Sequence, residues 1–219
     1  MVTATKARSN GKAPAVEEGV LMVDIPPLDL QQFVLTLVGD SPLITHQWSE
    51  KAKQMMRDKH AKKAQKGREK RDPVQEFEEA TYYLPKPVTL DGQETEFGMP
   101  AVAFKAAAVA RCRFVPGLAM TEARGAFHVL GELVPIFGER TMREDMVRVG
   151  NGAADIRYRP EFSPWSTTFI VQHNAAAISM EQVLNLFSIA GFGVGVGEWR
   201  PSSKSSGPYG RWHIAKESD

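Results

Sequence analysis

Between Gly191 and Trp212 the chain gathers glycines, cations and aromatics into one short stretch. Gly191, Gly193, Gly195 and Gly197 alternate with Phe192, Val194 and Val196. Glu198, Trp199, Arg200 and Pro201 follow, then Ser202 to Pro208, and finally Tyr209-Gly210-Arg211-Trp212. Alternate glycines cost stability unless the backbone needs positive φ angles or a close approach. Arg200, Lys204 and Arg211 can neutralise phosphates. Trp199, Tyr209 and Trp212 offer faces on which bases can stack. Together these predict a nucleic-acid-binding loop whose contacts are Gly193, Gly195, Gly197, Trp199, Arg200, Lys204, Tyr209 and Arg211. The same composition has a second reading, in which the glycines permit tight packing and the aromatics fill the core. Two common nucleotide motifs are excluded. A dinucleotide fingerprint lies between a strand and the helix it opens, whereas these glycines follow a helix; a P-loop would end in Gly-Lys-Ser/Thr.

A second chemical feature is the run from Ser49 to about Ala80. From Lys51 to Arg71, Lys51, Lys53, Arg57, Lys59, Lys62, Lys63, Lys66, Arg68, Lys70 and Arg71 stand against only Asp58 and Glu69, before the sign reverses at Glu76, Glu78 and Glu79. Apolar residues are too sparse to bury a helical face. The run reads as a charged helical insertion, broken near Gly67 and restarted by Asp72-Pro73. It is either a solvated helix or an arm that meets phosphates through Lys51, Lys53, Arg57, Lys62 and Lys63.

Catalytic chemistry is poorly supplied. His46, His60, His128, His173 and His213 show no metal-binding spacing, and one cysteine cannot build a metal finger. His46, beside the turn after the first strand, is the best-placed general acid or base. Asp40 in Gly39-Asp40-Ser41-Pro42 is read as a turn cap. Cys112, between Arg111 and Arg113, is read as a small buried side chain. No Ser/His/Asp order stands out. The chain is expected not to be an enzyme and to need neither metal nor cofactor.

The elements that must position the loop follow from periodicity and turn chemistry. Residues 1–26 read as a flexible tail, and 27–219 as a single domain carrying the insertion at about 49–80. Gln32 to Val38 is an alternating, β-branched strand. Tyr82 to Leu84 is a short extended piece, followed by a loop rich in turns at Pro85, Pro87 and Asp91-Gly92. Pro100 opens an alanine-rich helix from Ala101 to Arg113. Ala126 to Ile136 reads as a strand bent at Gly131. Gly138 to Gly152 reads as irregular, Asp155 to Arg159 as weakly alternating, and Trp165 to Gln172 as a strand. Ser179 and Gln182 form a capping box, with Ile178 and Val183 as its hydrophobic staple. The helix they open is stopped by Gly191. A last strand runs from about Tyr209 to Ala215. The order is β-α-β-β-α-β, that of an α+β, ferredoxin-like (RRM-like) unit with a helical insertion and a C-terminal glycine-rich loop.

Composition bounds the class. The 219 residues are 42% hydrophobic and 24% charged, ordinary for a globular domain, and the net charge is only +1. Any basic surface must therefore come from local segregation. No apolar run approaches a membrane span, and the N-terminus lacks the apolar stretch of a signal peptide, so a cytoplasmic protein without a membrane partner is expected.

The glycine-rich segment between a capped helix and a last strand resembles the RAMP superfamily of CRISPR RNA-binding proteins. Gly193-Val194-Gly195-Val196-Gly197, Arg200 and Gly207-Pro208-Tyr209-Gly210-Arg211 carry the likeness, over roughly Ser179 to Ile214. The resemblance implies an RNA-recognition-like fold, glycine-loop contacts to RNA and assembly of copies into a filament along a strand. Near-neutral charge departs from that pattern. The chain is also similar to uncharacterised phage-encoded proteins, which implies the cytoplasm of an infected host. The expected partner is single-stranded RNA or DNA, bound by a homo-oligomer. The alternatives are a phage assembly protein whose loop and insertion contact neighbouring subunits, and a RAMP-like ribonuclease using His46 or Asp40.

Overall fold

The computed structural model describes residues 27–62, 71–115, 117–149 and 152–216. Residues 1–26 and 63–70, which hold Lys63, Lys66, Arg68, Glu69, Lys70 and the expected break near Gly67, lie outside them. The elements are β1 (Leu30–Gly39), β2 (Leu43–Ile44), α1 (Glu50–His60), α2 (Pro73–Glu79), β3 (Tyr83–Leu90), β4 (Gln93–Pro100), α3 (Ala101–Arg111), α4 (Met120–Ala126), β5 (Phe127–Val129), β6 (Leu133–Pro135), β7 (Phe137–Val149), β8 (Ala153–Asn174), α5 (Met180–Gly193) and β9 (Trp212–Ile214). The protein is mixed α and β, with antiparallel sheets.

β8 organises the larger sheet. Its second half pairs with β1 along one edge, from Leu30↔Asn174 to Val38↔Ser166, and with β5 along the other. β9 pairs on the far side of β1. The strand order there is β5-β8-β1-β9, every pairing antiparallel. α3 and α5 cover one face. Leu35 and Leu37 from β1, Phe169 and Val171 from β8, and Phe127 from β5 meet Phe104 and Ala108 from α3 and Val183 and Phe187 from α5. Phe104, Phe127, Phe187, Leu37 and Val171 are each fully buried. On the opposite face Val34 and Ile170 remain exposed, flanking a Thr36–Thr168 hydroxyl pair at 2.9 Å.

The α5 entrance follows its local sequence. The Ser179 hydroxyl accepts from the Gln182 N–H, the Gln182 side chain returns to the Ser179 N–H, and Ile178 and Val183 are buried. The helix continues through Gly191 to Gly193, because Gly191 serves packing rather than termination. A Cβ there would sit 2.1 Å from the Trp212 carbonyl oxygen.

Several expectations are corrected. Phe137–Val149 is not irregular: it is a 13-residue strand pairing with the first half of β8, which itself runs unbroken for 22 residues. The ribbon carries its charges inward, which inverts the usual apolar alternation. Asp145 and Arg159 are buried while Met142 and Met146 are exposed. The turn-rich loop after Tyr82 is the β3–β4 hairpin. Its prolines sit where the register shifts between Tyr83 and Val88, so the ladder loses few donors. The strand expected over Ala126 to Ile136 divides into β5 and β6, which join different sheets. The last strand is shorter than expected, and α4 carried no sequence signal.

Candidate nucleic-acid interface

A cleft of about 350 Å³ lies where four segments meet. Thr45 and His46, just past β2, line it, as do Tyr82 before β3 and the alanine face of α3 at Ala103, Ala106, Ala107 and Ala110. The fourth wall is the glycine loop, from Val194 to Glu198 with Arg200 and Ser202.

Backbone bonds hold that loop against the sheet. The Val196 N–H donates to the Gly210 carbonyl (2.9 Å), the Gly210 N–H to the Pro42 carbonyl (2.8 Å) and the Glu198 N–H to the Ile44 carbonyl (2.8 Å). Such closeness leaves no room for side chains. Gly197 has φ +76°, and a Cβ there would lie 2.3 Å from the Ile44 oxygen; Gly210 has φ +63°, and its Cβ would lie 1.9 Å from the Val196 oxygen. Gly195 faces Pro201 in the same way, and Gly193 lies at the end of α5 against the Arg111 guanidinium. The glycines are therefore needed for packing. Besides Gly195 and Gly197, the loop residues in the cleft lining are Val194, Val196, Glu198, Arg200 and Ser202.

The aromatics divide. Trp212 is buried in the core and its indole N–H donates to the Phe187 carbonyl at 3.2 Å, so it offers no face to a base. Trp199 and Tyr209 remain partly exposed and touch one another, ring centroids 5.9 Å apart. The protein's own cations already lie against them. The Arg143 guanidinium is 4.8 Å from the Tyr209 ring centre, and that of Arg159 is 4.8 Å from the Trp199 ring centre. These arginines, paired opposite one another on the β7–β8 ribbon, are neutralised by carboxylates. Arg143 reaches Asp145 at 2.8 Å and Glu161 at 2.6 Å, and Arg159 reaches Asp145 at 2.7 Å. Nothing in the local sequence marked Arg143 and Arg159 as belonging to the loop's surroundings.

The loop cations are also partly engaged. Arg200 donates to the Gly197 carbonyl at 2.9 Å and Arg211 to the Pro208 carbonyl at 3.3 Å, while Lys204 is exposed. Both guanidiniums are bound through one N–H to a neutral carbonyl. On α1, Lys51, Lys53 and Arg57 stand on a helix with no buried residue, and Lys62 follows its end. Lys53 pairs with Glu50 at 2.6 Å and lies within electrostatic reach of Tyr82. Arg57 donates to Gln54 at 3.5 Å.

Glu198 was not singled out from the sequence, yet it stands in the cleft wall. His46 lies 3.8 Å from one carboxylate oxygen and Arg159 3.4 Å from the other. The His46 imidazole holds the carboxyl below the ordinary glutamate value, against the opposing effect of burial, with Arg159 adding to the lowering. Tyr82 was assigned only to an extended piece; burial raises its hydroxyl above the ordinary value, which keeps it a neutral donor. Of the other candidates, Asp40 accepts from the His213 Nδ1–H at 2.6 Å, away from the cleft lining, and Cys112 is buried. Among the described residues no group of histidines, cysteines and carboxylates could hold a metal ion, and no helix is long and apolar enough to cross a membrane.

No family model matches the chain, and no curated protein matches it. Among solved structures it is similar to Cmr6 from Pyrococcus furiosus, with a TM-score of 0.40 and 11% sequence identity over 86% of this chain and 100% of that one. A likeness of that size carries no part of the argument below.

Proposed function

We propose that this chain is a ferredoxin-like protein that binds single-stranded nucleic acid along the cleft, with copies assembling on one strand and no catalytic step. The strand order β5-β8-β1-β9 with two helices on one face supports the fold reading. One observation carries the ligand reading. The cleft is walled by alanines on α3 and by the glycine loop, so the small helix side chains let a sugar-phosphate chain approach closely, and Arg200 and Tyr82 line it. Cations neutralise phosphates, and the tyrosine ring gives a base a face.

The test is binding of labelled RNA and single-stranded DNA across a salt series. Each phosphate neutralised contributes a slope of about −0.7 in log K against log salt for single strands. Replacing Arg200 and Lys204 by alanine is expected to flatten the slope by about 1.4. Absence of salt-sensitive binding to either polymer refutes the proposal. A second reading, a subunit-contact protein, is favoured by Phe114, 73% exposed beside Arg111, and by Phe192, 75% exposed. Oligomers that form equally well without nucleic acid, and that Phe114→Ala abolishes, would establish it instead.

A further inference from the structure

Glu198 is out of place in a site built only for phosphates. Its side chain is 42% exposed, it lines the cleft, and its negative charge repels a polyanion. Its own partners, His46 and Arg159 with Arg200 acting through space, stand farther off than those of the neighbouring carboxylates. His46 and Arg159 stand at 3.8 and 3.4 Å, whereas the neighbouring pairs Arg143–Glu161 and Arg159–Asp145 close to 2.6 and 2.7 Å. Separations above about 3.2 Å leave a carboxylate's lone pairs unsaturated. The carboxylate is ionised, so it can only accept. A second sign of a missing partner lies in the same lining. Thr45 is 1% exposed, and its hydroxyl has no hydrogen-bond partner among the described residues. Buried hydroxyls are rarely left so.

We propose that Glu198 and Thr45 form a base-reading subsite that takes the Watson–Crick edge of a guanine in single-stranded nucleic acid. The assignment rests on the nucleic-acid reading above and adds to it what is read. Two acceptor oxygens and one hydroxyl call for a flat ligand edge with two adjacent N–H donors next to an acceptor. Guanine supplies N2–H, N1–H and O6 in that order. Uracil and thymine offer one N–H between two carbonyls. Adenine and cytosine offer an amino group beside a ring nitrogen that would face the carboxylate lone pair to lone pair. A ribose hydroxyl supplies one donor only. The cleft's size suits a nucleoside rather than a duplex. Tyr82 and Pro100 in the lining give the ring flat surfaces.

The experiment measures fluorescence anisotropy with labelled oligouridines that differ in one central nucleotide: guanosine, inosine, adenosine, cytidine or 2′-deoxyguanosine. Guanosine is expected to bind about 5- to 100-fold more tightly than adenosine or cytidine, the range a well-placed bidentate pair gives. Inosine, which lacks the N2 amino group, falls between them, and 2′-deoxyguanosine keeps the preference. Glu198→Gln is expected to collapse the guanine preference while raising the affinity for plain oligouridine, because a repelling charge leaves. Thr45→Val, isosteric and without the orphan hydroxyl, is expected to fold at least as stably as the parent and to lose part of the preference. Equal binding of all bases, or a preference that follows the sugar, overturns the subsite while leaving the nucleic-acid reading standing. Binding of none of the oligonucleotides overturns both.

Discussion

Gly210→Ala is the sharpest test of the loop's construction. Gly210 is buried with φ +63°, in the left-handed region, and an added Cβ would lie 1.9 Å from the Val196 oxygen. An L-residue in that conformation costs about 1–2 kcal/mol. The overlap must then be relieved by moving the loop. That movement opens the Val196–Gly210 bond, the Gly210–Pro42 bond or both. Each buried group left unpaired costs about 1–3 kcal/mol. The expected total is roughly 3–5 kcal/mol. Gly92→Ala is the matched control. Its φ is +79°, but nothing lies within 4 Å of its added Cβ, so only the conformational cost of about 1–2 kcal/mol applies. Urea denaturation followed by tryptophan fluorescence gives both values, and the m-value checks that the native state stays compact. If Gly210→Ala costs no more than Gly92→Ala, the loop is not clamped to the sheet. The packing account of the glycines is then wrong.

Two further outcomes are expected. Asp145→Ala removes the carboxylate that both Arg143 and Arg159 contact, and Arg159 is only 3% exposed. Leaving a buried guanidinium short of its partner is expected to cost about 3–5 kcal/mol by thermal denaturation, and a loss below about 1 kcal/mol would mean that Glu198 alone suffices. Acid is expected to destabilise the fold. The Arg140 guanidinium holds Glu78 low and His46 holds Glu198 low. A carboxyl depressed in the folded state binds protons more readily when unfolded. Its stabilisation is therefore present above the ordinary glutamate value of 4.5 and is lost as pH falls through the folded value. The Tm should be level above that pH and fall below it; Glu198→Gln should reduce the fall, and an unchanged acid profile would refute the assignment.

What was legible in the sequence was local. The α5 cap is written in Ser179, Gln182, Ile178 and Val183, all within six residues, and β1 in the alternation that buries Leu35 and Leu37. β7 was not legible because its inward face is charged. Asp145 is buried against Arg159, a residue fourteen positions away, and only the pairing reveals that both are satisfied. The β3–β4 hairpin was hidden by Pro85 and Pro87, although its Asp91-Gly92 turn was visible. Trp212 and Trp199 have the same local chemistry, yet one sits under α5 and the other beside the ribbon. Glu198 and Thr45 lay outside the reading because a single acid in a basic loop, or a threonine after a short strand, carries no pattern.

The loop's role also changes once its contacts are known. Its glycines serve a clamp, one of its three aromatics is core, and the cations nearest its rings are matched by carboxylates. Arg143, Arg159 and Arg200 stand against Asp145, Glu161 and Glu198 within one connected cluster. A site with that balance cannot draw its affinity mainly from counterion release, which grows with the number of phosphates neutralised. The net charge of +1 points the same way. If the cleft holds a nucleic acid, the salt slope should be shallow, and most of the discrimination should come from the base edge that Glu198 accepts from. A steep slope would place the phosphate contacts on and just past α1 instead, where Lys51, Lys53 and Arg57 lie on a helix with no buried residue and Lys62 follows its end.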